Sequence, residues 1–580
     1  MDQSKDIYLQ RNGGATMGFR LRKTEGGKAY RHSRVLDASN PTQTTGLIPG
    51  EPPQQKVVFR QDTWHRGAGY EKFADASRFA TSEGMDVRSY GKLSIFSSLS
   101  TMVSETTQAS ASQRFFAYYD SVLHMAVGDN LYKLVSGEWD EITSLVGTAQ
   151  GSISVIKGSL WIGTYDNIEK WNGSSVSTFP APARGALLRM GDVLWGASGS
   201  SGAGEIYSST TGEVDAWSTA IVIGASNYGV DTLAPFNGYL ICGKQDGLYR
   251  VRPDGSVNTL WDASNMTDSQ NCKYMIAWRN NLVFSAVGSG LYLISPGDTI
   301  HDISPKYWGD YDWGDVCGLA AMPDALLALF DDGTTKRMAM GWLETVGEQT
   351  GMRWIELRRL TNAVNSCFWD SDYAYYSDGA TTSRMPLPMY PEAAPTITAT
   401  ESANIIFSEF NAGYHGRDKV WHTLRYKVTC DANSPIAFKL SEEGGAYTTL
   451  ATAVATGEAE VDFTAENGTY CQLKIEFSVT DAGAEPPVVE WVELDGYVLA
   501  LTNDVFEFEV LAIDDGDTKG YEVAEFMFNA AKDTLPPTLT DILGNTYTIL
   551  IENGYPLESI VNDERLAQPQ TVVVVRARAL

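Results

Sequence analysis

Between about residues 115 and 390 the chain alternates short apolar runs with Gly, Asp and Asn turns, and the pattern recurs. Each unit holds an apolar strand, a tight turn, and a second strand that often opens on an aliphatic residue and Tyr. The units read VLHMAVGDNLYKLVSGEW from 122, SLWIGTYDNIEKWNG from 159, VLWGASGSSGAGEIYSS from 193, YLICGKQDGLYRVRPDG from 239 and NLVFSAVGSGLYLISPGD from 281. Two degenerate units follow, LLALFDDGTTKRMAM from 326 and DYAYYSDGATTSRMPL from 372. The residues that open the second strands, Leu131, Ile168, Ile206, Leu248 and Leu291, lie 37, 38, 42 and 43 residues apart. A period near 40 built from β-branched and aromatic strands and hairpin dipeptides such as Gly128-Asp129 and Asp246-Gly247 excludes the helical solenoids of similar period.

One four-stranded sheet cannot bury both its faces, whereas a ring of such sheets stacks them and leaves only short edges. The expected fold is therefore mainly β, with a β-propeller of about seven blades over 61–393, six or eight being the alternatives. The units lack the Trp-Asp ends and His-Gly starts of WD40 repeats and the glycine pairs of kelch repeats. The stretch 61–110 is expected to supply a strand that closes the ring from the N-terminal side.

After the Pro-rich PLPMYPEAAP the pattern changes to alternating strands such as HTLRYKVTCD, PIAFKLSEEGG and TYCQLKIEFSVTD, which predict a small β-sandwich over 394–502. Residues 503–580 predict an α+β module. In it GYEVAEFMFNAAKD is a short amphipathic helix with Val523, Phe526, Met527 and Ala530 on one face, and TVVVVRARAL is a strand that must be paired. The first 60 residues carry ten basic against five acidic side chains and are rich in Gly, Thr, Gln and Pro. They read as a basic extended arm with one short strand, either a solvated tail or a segment ordered on a neighbouring subunit.

Composition narrows the function classes. At 43% hydrophobic and 20% charged residues the chain has ample material for large cores and is not a disordered protein. A formal charge of −28 argues against a general phosphate-backbone binder, so nucleic acid is not an expected partner. No stretch approaches the roughly 18 uncharged apolar residues that cross a bilayer, and the start MDQSKDIYLQRNGG lacks an apolar export core, so neither membrane insertion nor Sec export is expected. The six cysteines are at least 30 residues apart, giving no zinc spacing and no disulfide framework. Cys430 and Cys471 read as reduced, buried thiols. No cofactor or metal is expected.

The densest candidate chemistry is Tyr307-Trp308-Gly309-Asp310-Tyr311-Asp312-Trp313-Gly314-Asp315. Aromatic faces stack on sugars, and paired carboxylates at suitable separation hydrolyse glycosidic bonds. Trp308, Asp310, Asp312 and Trp313 are therefore the candidate ligand-binding residues, against the alternative of an inter-blade loop with packed aromatics. Asp514-Asp515-Gly516-Asp517 and Asp331-Asp332-Gly333 resemble half of a calcium loop but read as solvated turns. Isolated histidines and the absence of G-x-S-x-G, P-loop and dinucleotide-binding motifs leave no catalytic residue to nominate. Where the arm meets the propeller, Gln61 to Tyr70 gathers Trp64, His65 and Arg66 before a Gly-x-Gly turn, and reads as a hinge packed on the first blade.

The order of these parts carries a resemblance. A basic arm leads into a D-x-W-x-x-G-x-G turn (Asp62 to Gly69), then a degenerate propeller, a sandwich opening on WHTLRYKVTCDANSPIAFKLSEEGG, and a strand-helix-hairpin ending in T-D-x-x-G-x-T-Y-T (Thr540 to Thr548). Together these resemble the propeller-bearing virion proteins encoded among the tail genes of tailed bacteriophages. The resemblance implies a non-enzymatic structural protein of the tail or tail tip, assembled in the bacterial cytoplasm in symmetric copies. Its partners would be other tail proteins and copies of itself. Arg20, Arg22, Lys23, Trp64 and Arg66 are the candidate docking residues. The rival expectations are a host-surface glycan adhesin and a glycan hydrolase.

Overall fold

The aliphatic residue that marks each repeat is the repeat's core residue: Leu131, Ile168, Ile206, Leu248 and Leu291 are all fully buried. Each opens, or lies one residue into, the third strand of a four-stranded antiparallel sheet, and the described residues form seven such sheets. Blade one comprises Arg114–Tyr119, Val122–Val127, Asn130–Val135 and Glu138–Ser144; blades two to six repeat this meander in chain order. The innermost strands of blades two to six begin at Ala149, Leu187, Thr232, Met275 and Asp315. Hydrophobic clusters lie between successive blades, such as Ala126, Leu131, Leu160 and Ile162 between one and two, and Phe236, Ile241, Leu282 and Phe284 between four and five. Each blade thus buries on its neighbour the face that it could not bury alone.

Blade seven has only three strands of its own, Cys367–Trp369, Tyr373–Asp378 and Thr381–Pro386. Ser100–Met102 completes it by pairing antiparallel with Thr381–Pro386. The ring is thus closed from the N-terminal side. Phe116 of blade one stacks on Phe368 of blade seven at 5.5 Å, with Trp139 and Tyr375 packed beside them. Close approach at the axis requires a glycine: Gly151 sits at φ +93, and a Cβ there would meet the Gly185 carbonyl carbon at 2.6 Å.

This computed structural model describes most of the chain from Lys5 to Ala579. Outside the described residues lie 37–53, 69–77, 103–112, 199–203, 212–215, 306–312, 390–400, 413–418, 513–519, 533–536, 552–556 and 562–569, together with some shorter stretches. The chain divides into two compact units. The larger, Val58–Gly416 with Trp421–Gly496, holds the propeller and two further sheets.

Those two sheets occupy the stretch expected to be a sandwich, but they also recruit strands that precede the propeller. Phe79–Glu83 pairs with Glu401–Phe407 in the five-stranded sheet, and Leu93–Ile95 pairs with Val488–Leu499 in the six-stranded one. Tyr426 stacks on Phe438 at 4.4 Å and Phe59 meets Phe407 at 5.8 Å, each pair joining one sheet to the other.

The smaller unit, Met1–Val57, Arg417–Val420 and Tyr497–Leu580, contains the α-helix of the described residues, Gly520–Lys532. Val523, Phe526, Met527 and Ala530 lie in its core with Phe506, Phe508 and Val510 of strand Thr502–Leu511, so the helix face is the one the 3.6-residue pattern predicts. The basic N-terminal segment, expected to be an extended arm, is woven into the same sheet. Ile7–Gln10 pairs with Thr538–Thr540, and Tyr30–Leu36 pairs with Thr502–Leu511. Ile7, Leu9, Phe19 and Leu21 are buried in that core, which gives the segment the apolar anchor its polar composition concealed. The terminal strand Gln570–Ala579 is paired within the sheet, with Thr502–Leu511 on one side and Thr546–Ile551 on the other.

Candidate functional site

The inner strands converge on a cavity of about 430 Å³. Its wall takes a residue from, or immediately before, the inner strand of every blade: Phe115, Gly151, Ala186, Asp231, Tyr274, Leu319 and Ser366. It therefore lies on the axis of the ring. Its polar groups come from the connections into the inner strands and from the central hairpin of blade four. Asp231 precedes strand Thr232–Phe236, Gln245 sits in the turn between Tyr239–Lys244 and Gly247–Val251, and Ser269, Lys273 and Tyr274 precede Met275–Trp278.

Some of these groups are bound to the frame. The Tyr274 hydroxyl donates to the Asn365 carbonyl at 3.1 Å and accepts from Gln113 Nε2 at 3.4 Å, so a short chain of bonds ties blades five, seven and one across the axis. Behind the wall Lys244 is fully buried, donating to the Ile223 and Ala225 carbonyls, with its Nζ 3.7 Å from Asp246. Asp246 in turn accepts from the Ala225 amide at 2.9 Å. Burial lowers the Lys244 pKa, which the Asp246 and Asp231 charges oppose.

Others make no hydrogen bond to the frame, although the Lys273 Nζ lies 5.7 Å from the Tyr274 ring centre. The side chains of Asp231, Gln245, Ser269 and Lys273 line the cavity with no hydrogen-bond partner among the described residues. The Asp231 carboxyl is pushed up to about 6 by burial, against the pull of the Lys273 and Lys244 charges. The thiols of Cys367 and Cys317 are pushed up by burial too, Cys317 to about 12, so neither is a ready nucleophile. The arrangement offers a carboxylate, an ammonium, an amide and a hydroxyl around a half-open recess whose wall is part polar and part apolar, a make-up that can hold a small molecule.

The aromatic run proposed from sequence does not build a site from its described part. Trp308, Asp310 and Asp312 lie outside the described residues. Trp313 is 3% exposed, T-shaped against Phe330 at 5.5 Å with the Arg337 guanidinium 5.7 Å from its ring centre. It belongs to the core of blade six and offers no face to a sugar.

Asp331-Asp332-Gly333 is a capped turn. The Gly333 amide donates to Asp331, and the Thr334 and Thr335 amides to Asp332, whose carboxyl these bonds and the Arg337 guanidinium hold down at about 2. Asp514 to Asp517 lie outside the described residues.

Among the candidate docking residues, Arg20 is exposed, Arg22 pairs with Glu509, and Lys23 lies in a two-residue strand paired with Gly27–Lys28. Trp64 is 1% exposed and is a packing residue, unavailable to a partner. Arg66 is partly buried, and its carbonyl accepts from Arg78 at 3.5 Å. The turn they form packs on blade six, not on the first blade: Ala68 donates to the Trp354 carbonyl and Arg353 to that of His65.

The seven sheets define the class, a seven-bladed β-propeller protein. No family model matches the chain, and no curated protein matches it. Among solved structures it is similar to Saccharomyces cerevisiae Sqt1 (9% identity, TM-score 0.34, covering 53% of this chain and 96% of that one). It is also similar to the Neurospora crassa Pan2 WD40 domain (7% identity, TM-score 0.32, covering 48% and 88%) and to a protein described as a gluconolactonase (12% identity, TM-score 0.28, covering 50% and 92%). At this level of likeness nothing about function transfers.

Proposed function

We propose that this chain is a structural component of a tailed-bacteriophage virion, a tail or tail-tip protein that assembles in symmetric copies and presents its propeller. The observation that supports this reading is the shared sheet of the two chain ends, since it turns both termini into one folded docking body. Strand Tyr30–Leu36 stands at the end of that sheet and pairs, among the described residues, with Thr502–Leu511 alone. The Arg31 side chain on it is 74% exposed and only loosely paired, 4.0 Å from Glu507 of the adjacent strand. An edge strand carrying exposed positive charge suits a neighbour as acidic as this chain, whose formal charge is −28. The reading is non-enzymatic, with other tail proteins and copies of the chain as partners.

Light scattering of the purified full chain, paired with negative-stain imaging, tests it. A discrete symmetric multimer that Arg31→Glu dissociates is the expected result. A monomer at every concentration, indifferent to Arg31→Glu and unable to join tail particles, would overturn it.

A further inference from the structure

We propose that the axial cavity of the propeller is a binding site for a neutral saccharide of one or two rings, held by Asp231 and Lys273. The inference is independent of the assembly reading above and of the 307–315 run. At about 430 Å³ the cavity falls within the roughly 300–1,000 Å³ of small-molecule sites.

The ligand class follows from what the wall leaves unanswered. Asp231 is an acceptor that can take two hydroxyl groups, Lys273 donates up to three bonds, and Gln245 and Ser269 can each do both. None of these four side chains has a hydrogen-bond partner among the described residues. A polyol with adjacent hydroxyls satisfies such a mixed set, whereas a hydrocarbon would leave it unpaired. Phe115, Met275 and Leu319 supply the apolar wall that the C–H face of a sugar ring needs. The charges argue for a neutral ligand. Asp231 and Lys273 offset one another, as do Lys244 and Asp246 behind them, and the Arg114 guanidinium on the wall is bonded to Gly379 and Thr382 with the Asp378 charge nearby, so an anion would meet Asp231 and a cation Lys273 without net attraction. Holding a partly buried carboxyl with no hydrogen-bond donor lowers stability, and an offsetting gain is expected where a ligand supplies the donors.

Saturation-transfer NMR on the full chain tests this, with glucose, galactose, N-acetylglucosamine, lactose and cellobiose as probes and with galacturonate and glycine betaine as charged comparators. At least one neutral sugar is expected to bind in preference to both comparators. Asp231→Asn and Lys273→Met should each weaken it by about 10- to 100-fold, the worth of one charge-assisted hydrogen bond. Asp254→Asn, in the exposed outer hairpin of blade four, should leave binding unchanged, and melting curves establish that each variant is folded. The proposal is overturned by no binding of any sugar, by binding that survives both substitutions, or by preference for galacturonate or betaine.

Discussion

Two opposite sectors of the ring treat buried charge differently. At the seam between blades one and seven, Arg114 is 3% exposed, and its guanidinium donates to the Gly379 carbonyl at 2.8 Å and to Thr382 Oγ1 at 3.1 Å, while its amide donates to Ser366 Oγ. Burial lowers its pKa to about 10, opposed by the nearby Asp378 charge. Both of these guanidinium bonds run from blade one to blade seven, so the charge serves the closure of the ring. At blades four and five, Asp231 and Lys273 face the same cavity with no hydrogen bond to the frame. Removing the first kind of group should loosen the fold, whereas removing the Asp231 charge should tighten it and weaken binding.

The seam should give the larger effect. Arg114→Met removes the side-chain bonds to Gly379 and Thr382, orphans the Gly379 carbonyl, and should cost about 3 kcal/mol of unfolding free energy in a denaturant titration. A loss below about 1 kcal/mol would mean that Phe116, Phe368 and Tyr375 hold the seam without it.

Asp231→Asn should act in the opposite sense. Because the folded pKa of Asp231 is raised from 3.8 to about 6, its ionised form is disfavoured in the native state. The cost is therefore fully present above pH 6 and disappears as pH falls through 6 toward 4. The variant should be more stable than the parent by about 2–3 kcal/mol at pH 8, and equal to it near pH 4. The difference between the two chains isolates this group from Lys273, Lys244 and the other titrating neighbours, which both chains share. A stability loss at pH 8 would place Asp231 in the frame, beside Arg114.

What the sequence made legible follows the same division. Five of the seven units could be placed because one aliphatic residue in each, Leu131 to Leu291, is both the repeat marker and the buried centre of its blade, and the two degenerate units followed from their spacing. The helix at 520 could be assigned a face because four of its residues meet one core. The pairing of Ile7–Gln10 with Thr538–Thr540 could not be read, because strands of four and three residues carry too little period to announce a partner more than 500 residues away. Nor could the strands Phe79–Glu83 and Leu93–Ile95 be assigned to sheets formed beyond residue 400. The axial site escaped because Asp231, Gln245 and the pair Ser269 and Lys273 come from three separate loops and share no motif. The one available signal was positional: polar residues just before the inner strand of a repeat face the axis. Of the aromatic run, Trp313 is packed in a core rather than presented at a surface, which the density of rings in the sequence did not distinguish.

Glu169 supplies the smallest effect and the finest test. It is as buried as any residue of blade two, and burial raises its pKa as it does that of Asp231. Its Oε1, however, accepts from the amides of Val146 at 2.7 Å and Gly147 at 3.1 Å, which fixes the loop between blades one and two. Glu169→Gln keeps that acceptor and removes the charge, but its amide nitrogen must occupy the buried place of Oε2, which has no hydrogen-bond partner in the frame. The relief of desolvation and the new orphaned donor oppose one another, so the net change should stay within about 1 kcal/mol in the same titration. A gain as large as that of Asp231→Asn would mean that a raised carboxyl pKa alone sets the response, and that the open cavity beside Asp231 adds nothing. A small change at Glu169 beside a large one at Asp231 would separate a carboxylate engaged by backbone amides from one left free for a ligand.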